Sequence, residues 1–260
     1  MNIESFRLLN FGIIVFAALV LLLLERAIPY NKGQKFFREG FFNDFVLYTF
    51  VQSFILGILI SYFIVYLDSF SGLSKYWLLA GWPIWMQVIF FVITHDIYVY
   101  WFHRLQHHNK FLWRIHEAHH STRDVDWLSG ARSHSLEILI NQTVEFAPIV
   151  LLGASPETAV LKGTISAIWG MYIHSNIDVK MGVLQYLING PEMHRWHHSN
   201  DNKEAHNRNF STKLAVWDWV FSTGYFPKNS KPGKYGLGEK NFPSNYFRQH
   251  TFAFRKFKKT

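Results

Sequence analysis

Residues 45–67 read FVLYTFVQSFILGILISYFIVYL, 23 positions without a charge. At about 1.5 Å per residue, a helix of that length crosses the ~30 Å hydrocarbon core of a bilayer. Two further apolar runs, 8–24 and 78–94, flank it. Two weaker runs, 136–153 and 157–173, carry Glu137, Asn141, Glu145 and Lys162. Polar groups at membrane depth must face protein, so these two are expected to pack on each other, in the membrane or as a buried soluble hairpin. The chain is 49% hydrophobic and 18% aromatic. The pattern predicts one domain over 1–260, an all-α integral membrane protein. About four transmembrane helices are expected, over 8–28, 43–67, 78–102 and a hairpin at 136–173, with a cytosolic helical cap. The first run ends in Glu25-Arg26-Ala27-Ile28-Pro29, which is no small-residue cleavage site, so it reads as a retained helix.

Net charge is +8, and residues 226–260 alone hold nine Lys or Arg against one Glu. Basic residues accumulate on the cytoplasmic side of membrane proteins and meet anionic headgroups, so membrane rather than nucleic acid is the expected partner. The loop carrying Lys32, Lys35 and Arg38 belongs on that side too, which places the N-terminus outside and a multi-pass chain's histidine clusters inside. The terminal Lys256-Phe257-Lys258-Lys259-Thr260 fits a retrieval pattern but reads as basic composition, and residues 251–260 as a loose end. No cysteine is present, which excludes disulfides, thiolate iron–sulfur clusters and Cys-ligated zinc. Any electron carrier built on cysteine is then a separate protein.

Eight histidines fall into three clusters: His103 and His107; His116, His119 and His120; His194, His197 and His198. Side chains three or four apart share a helix face, so each cluster can aim its imidazoles at one point. Eight imidazoles exceed what one zinc uses, about three or four ligands. The count fits a dimetal site with positions left open for oxygen. Imidazole suits iron, copper, zinc and nickel alike. A site just beyond the third membrane run lies at the headgroup boundary, where a lipid chain enters from the bilayer and polar reactants from water. Nonheme iron there can activate O2 against an unactivated C–H bond.

The motifs WFHRLQHH (101–108), RIHEAHHS (114–121) and HRWHHS (194–199), in this order on these helices, resemble the fatty acid hydroxylase/sterol desaturase superfamily. The likeness covers roughly 90–225, including Trp217-Asp218 and Thr223. It implies a membrane-embedded di-iron enzyme (zinc as a possible substitute) that uses O2 and an external electron donor on a hydrophobic lipid: sterol, fatty acyl, alkylglycerol or carotenoid-like. Hydroxylation and desaturation share the first hydrogen abstraction and stay undivided. By the same likeness the eight clustered histidines are metal ligands in boxes 103–120 and 174–198, and His174, in Tyr172-Ile173-His174-Ser175-Asn176, is a ninth.

Asp96 and Asp218 are candidate carboxylates behind the ligands, holding imidazole N–H groups, or else ordinary helix caps. His134 either orients a ligand through Glu137 or caps the hairpin. His95, His108, His206 and His250 are read as non-ligands. Two rival readings remain. His116-Glu117-Ala118-His119-His120 contains H-E-x-x-H, the zinc-protease signature with Glu as general base, but leaves the other clusters unexplained. A metal transporter would hold its site near the bilayer midplane, whereas these clusters are expected to follow the membrane helices.

Overall fold

A computed structural model describes residues 1–227, 230–238 and 241–256. Among them the chain is all-helical, with isolated bridges in place of strands. Helix α1 spans Ile3–Ala27; Asn2 caps it by accepting the Ser5 N–H at 2.8 Å, and Glu4 and Arg26 complement its dipole. A second rod covers Asn43–Ser71, π-wound over Asn43–Gln52 and α-helical as α2, Ser53–Ser71. Gly72 ends it in the left-handed region. Helix α3 spans Ile84–His108 and α4 Lys110–His120. The hairpin is α5, Ser135–Leu151, and α6, Pro156–His174. Three short helices follow: α7, Pro191–His197; α8, Val216–Val220; and α9, Tyr246–Phe252.

Three of these rods, Ile3–Ala27, Asn43–Ser71 and Ile84–His108, are long and apolar enough to cross a membrane. Their outer faces expose large apolar side chains, among them Phe16, Leu23, Phe54, Tyr62 and Val65, the kind of surface a bilayer covers. The fourth crossing expected from the hairpin is not among them. Instead α6 packs on α1 and α3, and α5 on α2. Across the hairpin Glu145 of α5 accepts from the fully buried Lys162 of α6, while Glu137 and Asn141 of α5 accept from Gln106 and Tyr98 of α3.

The third rod differs from its expected 78–102 span. It starts at Ile84 because Trp77 adopts a left-handed conformation and Pro83 supplies the N-cap. It then runs on through His108, so the first histidine cluster lies inside the rod and does not follow it. Asn109 makes the corner between α3 and α4: its side chain accepts the N–H groups of Phe111 and Leu112 at 2.9 and 3.2 Å. The last turns of α3 and all of α4 are thereby folded against each other.

The segment between α1 and the second rod sits on the histidine end of the molecule. Glu25 accepts the N–H groups of Trp127 and Asn176 at 2.8 and 2.7 Å, and Tyr30 N–H donates to Asn176 O at 2.9 Å. Arg38 is no free loop charge. It is buried, 2.7 Å from Asp126 and 2.8 Å from Asp44, and Asp44 also accepts from Arg132 at 2.7 and 2.9 Å. The expected loose tail is likewise docked as far as 256. Tyr48 donates to Gln249 at 2.5 Å, His250 contacts Ser135 and Gln52, and Arg255 pairs with Glu117. Phe257, Lys258, Lys259 and Thr260 lie outside the described residues.

Asp44 serves two buried guanidinium groups. Asp44→Ala should destabilise the protein by about 3–5 kcal/mol, the usual cost of stripping a partner from a buried ion pair. Thermal unfolding in detergent would read this as a clear fall in Tm.

Candidate metal centre

The two antiparallel turns of α3 and α4 bring His103 and His107 opposite His116, His119 and His120. Helix α6 ends on His174, and α7, opened by Gly190 and Pro191, delivers His194 and His197, with His198 just past its end. The nine imidazoles converge in two adjacent groups. One is His103, His107, His116, His120 and His197; the other is His119, His174, His194 and His198. Within each group the candidate ligand atoms lie within 4.8 Å of one another. The groups cut across the sequence clusters. His116 and His120, four apart, face one centre while His119 faces the other, and α7 divides in the same way.

The outward ring nitrogens fix how these rings are protonated. Nδ1 of His103, His119, His174 and His197 each lies against a backbone carbonyl, of Phe210, Arg132, Gly170 and Arg208, at 2.7, 3.2, 2.7 and 2.8 Å. His116 Nδ1 meets Glu137 Oε1 at 2.8 Å, and His107 Nδ1 meets Asn207 Oδ1 at 3.2 Å. These oxygens only accept, so each Nδ1 carries a proton, and in a neutral ring the Nε2 is then a bare lone pair. The Nε2 atoms nevertheless face each other: His103 to His116 at 3.0 Å and His119 to His174 at 3.2 Å. Burial keeps His119 and His174 both neutral, so no hydrogen is left to join that pair. Buried lone pairs converging at that range are satisfied by a cation between them, so the residues present fit a metal.

Electrostatics point the same way. Burial, reinforced by neighbouring imidazoles, pushes the pKa of His119, His120, His194, His197 and His198 well below the ordinary range. They are therefore neutral, the form that binds metal.

The other residues singled out from the sequence take different places. Asp96 accepts from Thr212 Oγ1, the N–H groups of Lys213 and Leu214, and Trp217 Nε1, all within 3.1 Å. Asp218 accepts from the N–H groups of Phe210 and Ser211 and from Thr223 Oγ1. Neither touches an imidazole. Asp218 instead fixes the peptide whose carbonyl holds His103. His134 caps α5, its Nδ1 accepting the Leu136 N–H at 3.1 Å, and Glu137 reaches His116 directly. His108 and His206 are exposed. Asn207 and the four carbonyls went unnoticed in the sequence; a carbonyl leaves no side-chain signal, and Asn207 stood out only as a neighbour of His206. Glu117 of the H-E-x-x-H motif spends both oxygens on Arg255, at 2.7 and 2.8 Å.

A cavity of about 250 Å³ adjoins the cluster, bordered by His103, His116, His119, His174 and His194. A second, of about 350 Å³, reaches Ile14 of α1, Thr49 and Phe146. The two share Gly130, Ile138, Gln142, Glu145, Ser166 and Gly170, so the space beside the histidines continues toward the membrane rods.

A family profile described as fatty acid hydroxylase matches residues 88–223. Among curated proteins, ornithine lipid hydroxylase OlsE of Rhizobium tropici is 29% identical over 90% of this chain and 72% of its own length. Alkylglycerol monooxygenase of Homo sapiens is 28% identical over 55% of this chain and 31% of its own. Methylsterol monooxygenase 1 of Rattus norvegicus is 29% identical over 55% and 49%. Hydroxylase and monooxygenase are oxidoreductase names, which places the chain among oxidoreductases. No solved structure matches significantly.

Glu137→Gln keeps the shape but removes the charge behind His116. Metal affinity should fall about 10- to 100-fold, read by metal analysis after dialysis against a graded chelator. The depressed imidazoles also set a pH dependence. The unfolded chain takes up protons near the ordinary histidine value of 6.5 while the folded site does not. Stability of the metal-free protein should thus be intact above that value and fall as pH drops through it, measured as Tm against pH.

Proposed function

Because this chain belongs to the fatty acid hydroxylase family, we propose that it is an integral membrane, oxygen-dependent lipid hydroxylase, or a desaturase sharing the first hydrogen abstraction. The observation that carries the proposal is the set of bare Nε2 atoms bordering a cavity that continues toward the membrane rods. In this reading His103, His107, His116, His120 and His197 hold one iron and His119, His174, His194 and His198 the other, with zinc able to substitute. Bound iron supplies oxygen activation strong enough to break an unactivated C–H bond. Everything else is done by the chain. Carbonyls of residues 132, 170, 208 and 210, with Glu137 and Asn207, keep six of the nine imidazoles in one direction with Nδ1 protonated. Burial of the cluster keeps bulk water from the reacting carbon. The walls of the shared cavity position the lipid, and position selects the carbon attacked.

Electrons come from a separate protein. The exposed Lys32 and Lys35 sit in the segment stapled to the histidine end, which supports a cytoplasmic active site under the positive-inside rule. The α5–α6 hairpin lies at membrane depth between the three apolar rods, and 1–260 forms one domain, its cap built from the remaining helices. The zinc-protease reading lacks its base, since Glu117 is bound to Arg255. A transport site is disfavoured by where the histidines stand, on the last turns of α3 and α6 and on the short helices α4 and α7.

Aerobic cells expressing the chain should contain a lipid that has gained one oxygen or lost two hydrogens, detected by comparative lipid mass spectrometry. His116→Ala and His194→Ala should each abolish that product while the protein still accumulates. An unchanged lipid profile with about two irons bound per chain would overturn the proposal.

A further inference from the structure

The cavity beside the histidines is not lined as a plain hydrocarbon slot. Lys162 Nζ has three hydrogens and spends them on Glu145, on Ser166 Oγ at 3.0 Å and on His95 Nδ1 at 3.1 Å. Lysine only donates, so His95 Nδ1 is an acceptor and its proton sits on Nε2. That Nε2–H is buried without a partner, in a ring that is 9% exposed and borders the cavity. Trp169, from α6, lines the same cavity, and its buried Nε1–H is also unpartnered. So is Glu137 Oε2, an acceptor. Buried donors left unmade cost about as much as a lost hydrogen bond each, and two in one small cavity mark a place for an acceptor.

We propose that His95 and Trp169 are specificity-determining residues that recognise an oxygen function on the substrate, a hydroxyl or amide group close to the carbon that reacts. The inference rests on the lipid-oxidising reading above and narrows it: the substrate presents its polar portion to the metal centre, with its alkyl part extending into the second cavity toward Ile14 and Phe146. A group that both accepts and donates fits best, because Glu137, whose Oε2 is unpartnered, lines the same cavity as the two donor residues. Lys162 and Glu145 act through His95. They hold its ring and tautomer, and they explain why a membrane-depth hairpin carries an ion pair.

The test is binding of two labelled probes, octadecan-1-ol and octadecane, to the purified, metal-loaded full chain in lipid nanodiscs, corrected for uptake by empty discs. Wild type should prefer the alcohol by about tenfold or more, the size of one or two buried hydrogen bonds. His95→Phe and Trp169→Phe should each lower alcohol binding by about tenfold and leave octadecane binding unchanged, while His95→Gln, which keeps an N–H, retains most of the preference. Metal content should match wild type throughout. Equal binding of the two probes by wild type, or variants that weaken both probes alike, would overturn the inference; if His95→Phe does not fold, Trp169→Phe decides. A lipid profile unchanged by expression, with the alcohol preference and its loss intact, would remove the oxidase reading and leave the polar pocket standing.

Discussion

Bare nitrogen lone pairs pointing at one another are the constraint around which this molecule is arranged. A buried polar atom left unsatisfied costs about 1–3 kcal/mol, and here the neutral His119 and His174 face each other with no hydrogen to join them. Metal binding at a histidine or cysteine site returns on the order of 10 kcal/mol, more than enough to offset the crowding. The scaffold is therefore assembled against a local repulsion that only a cation removes. Such a site needs support from outside, because rings free to turn would relieve the repulsion by rotating away.

That support comes from parts of the chain far apart in sequence. Asp96, on α3, gathers the turn at 212–217, and Asp218 gathers residues 210, 211 and 223, so the carbonyl of Phe210 stands where His103 can donate to it. Across the site, Arg132 is clamped by Asp44 from the start of the second membrane rod, and the carbonyl of Arg132 receives His119. A displacement of that rod would reach the second imidazole group through one ion pair and one peptide. The apolar rods and the histidine end are in this sense one mechanical unit. The tail joins it through α9, with Gln249 on Tyr48 and Arg255 on Glu117.

How much of this was legible in the sequence follows from the physics of each feature. Long uncharged runs announce membrane rods because nothing else tolerates them, and 45–67 fell inside Asn43–Ser71. The start of α3 was misread because hydropathy counts residues 78–83, whereas Trp77 and Pro83 break the backbone there. Helical spacing exposed the three histidine clusters, but spacing describes one helix at a time. It could not show that His119 parts from His116 and His120 to join His174 across the fold. His174, a lone histidine, was reached only through family resemblance. The orienting groups were least visible, since four are backbone carbonyls that any residue could supply. Asp96 and Asp218 were found as carboxylates near the site, yet their oxygens serve backbone N–H groups and not imidazoles.

The hairpin's modest hydropathy follows from the same logic. A helix facing lipid must be apolar on its exposed side, but α5 packs on α2 and α3, α6 packs on α1 and α3, and residues of both line a cavity. On their protein-facing sides the two helices can carry Glu145 and Lys162, provided these pair, as they do. On this reading, the hairpin falls short of the apolarity of a membrane rod because part of its surface faces those rods and a cavity. Several of the polar residues that lower its hydropathy, Glu137, Asn141, Gln142, Glu145 and Ser166, are also the ones bordering the space beside the histidines, and Lys162 stands behind them, paired with Glu145.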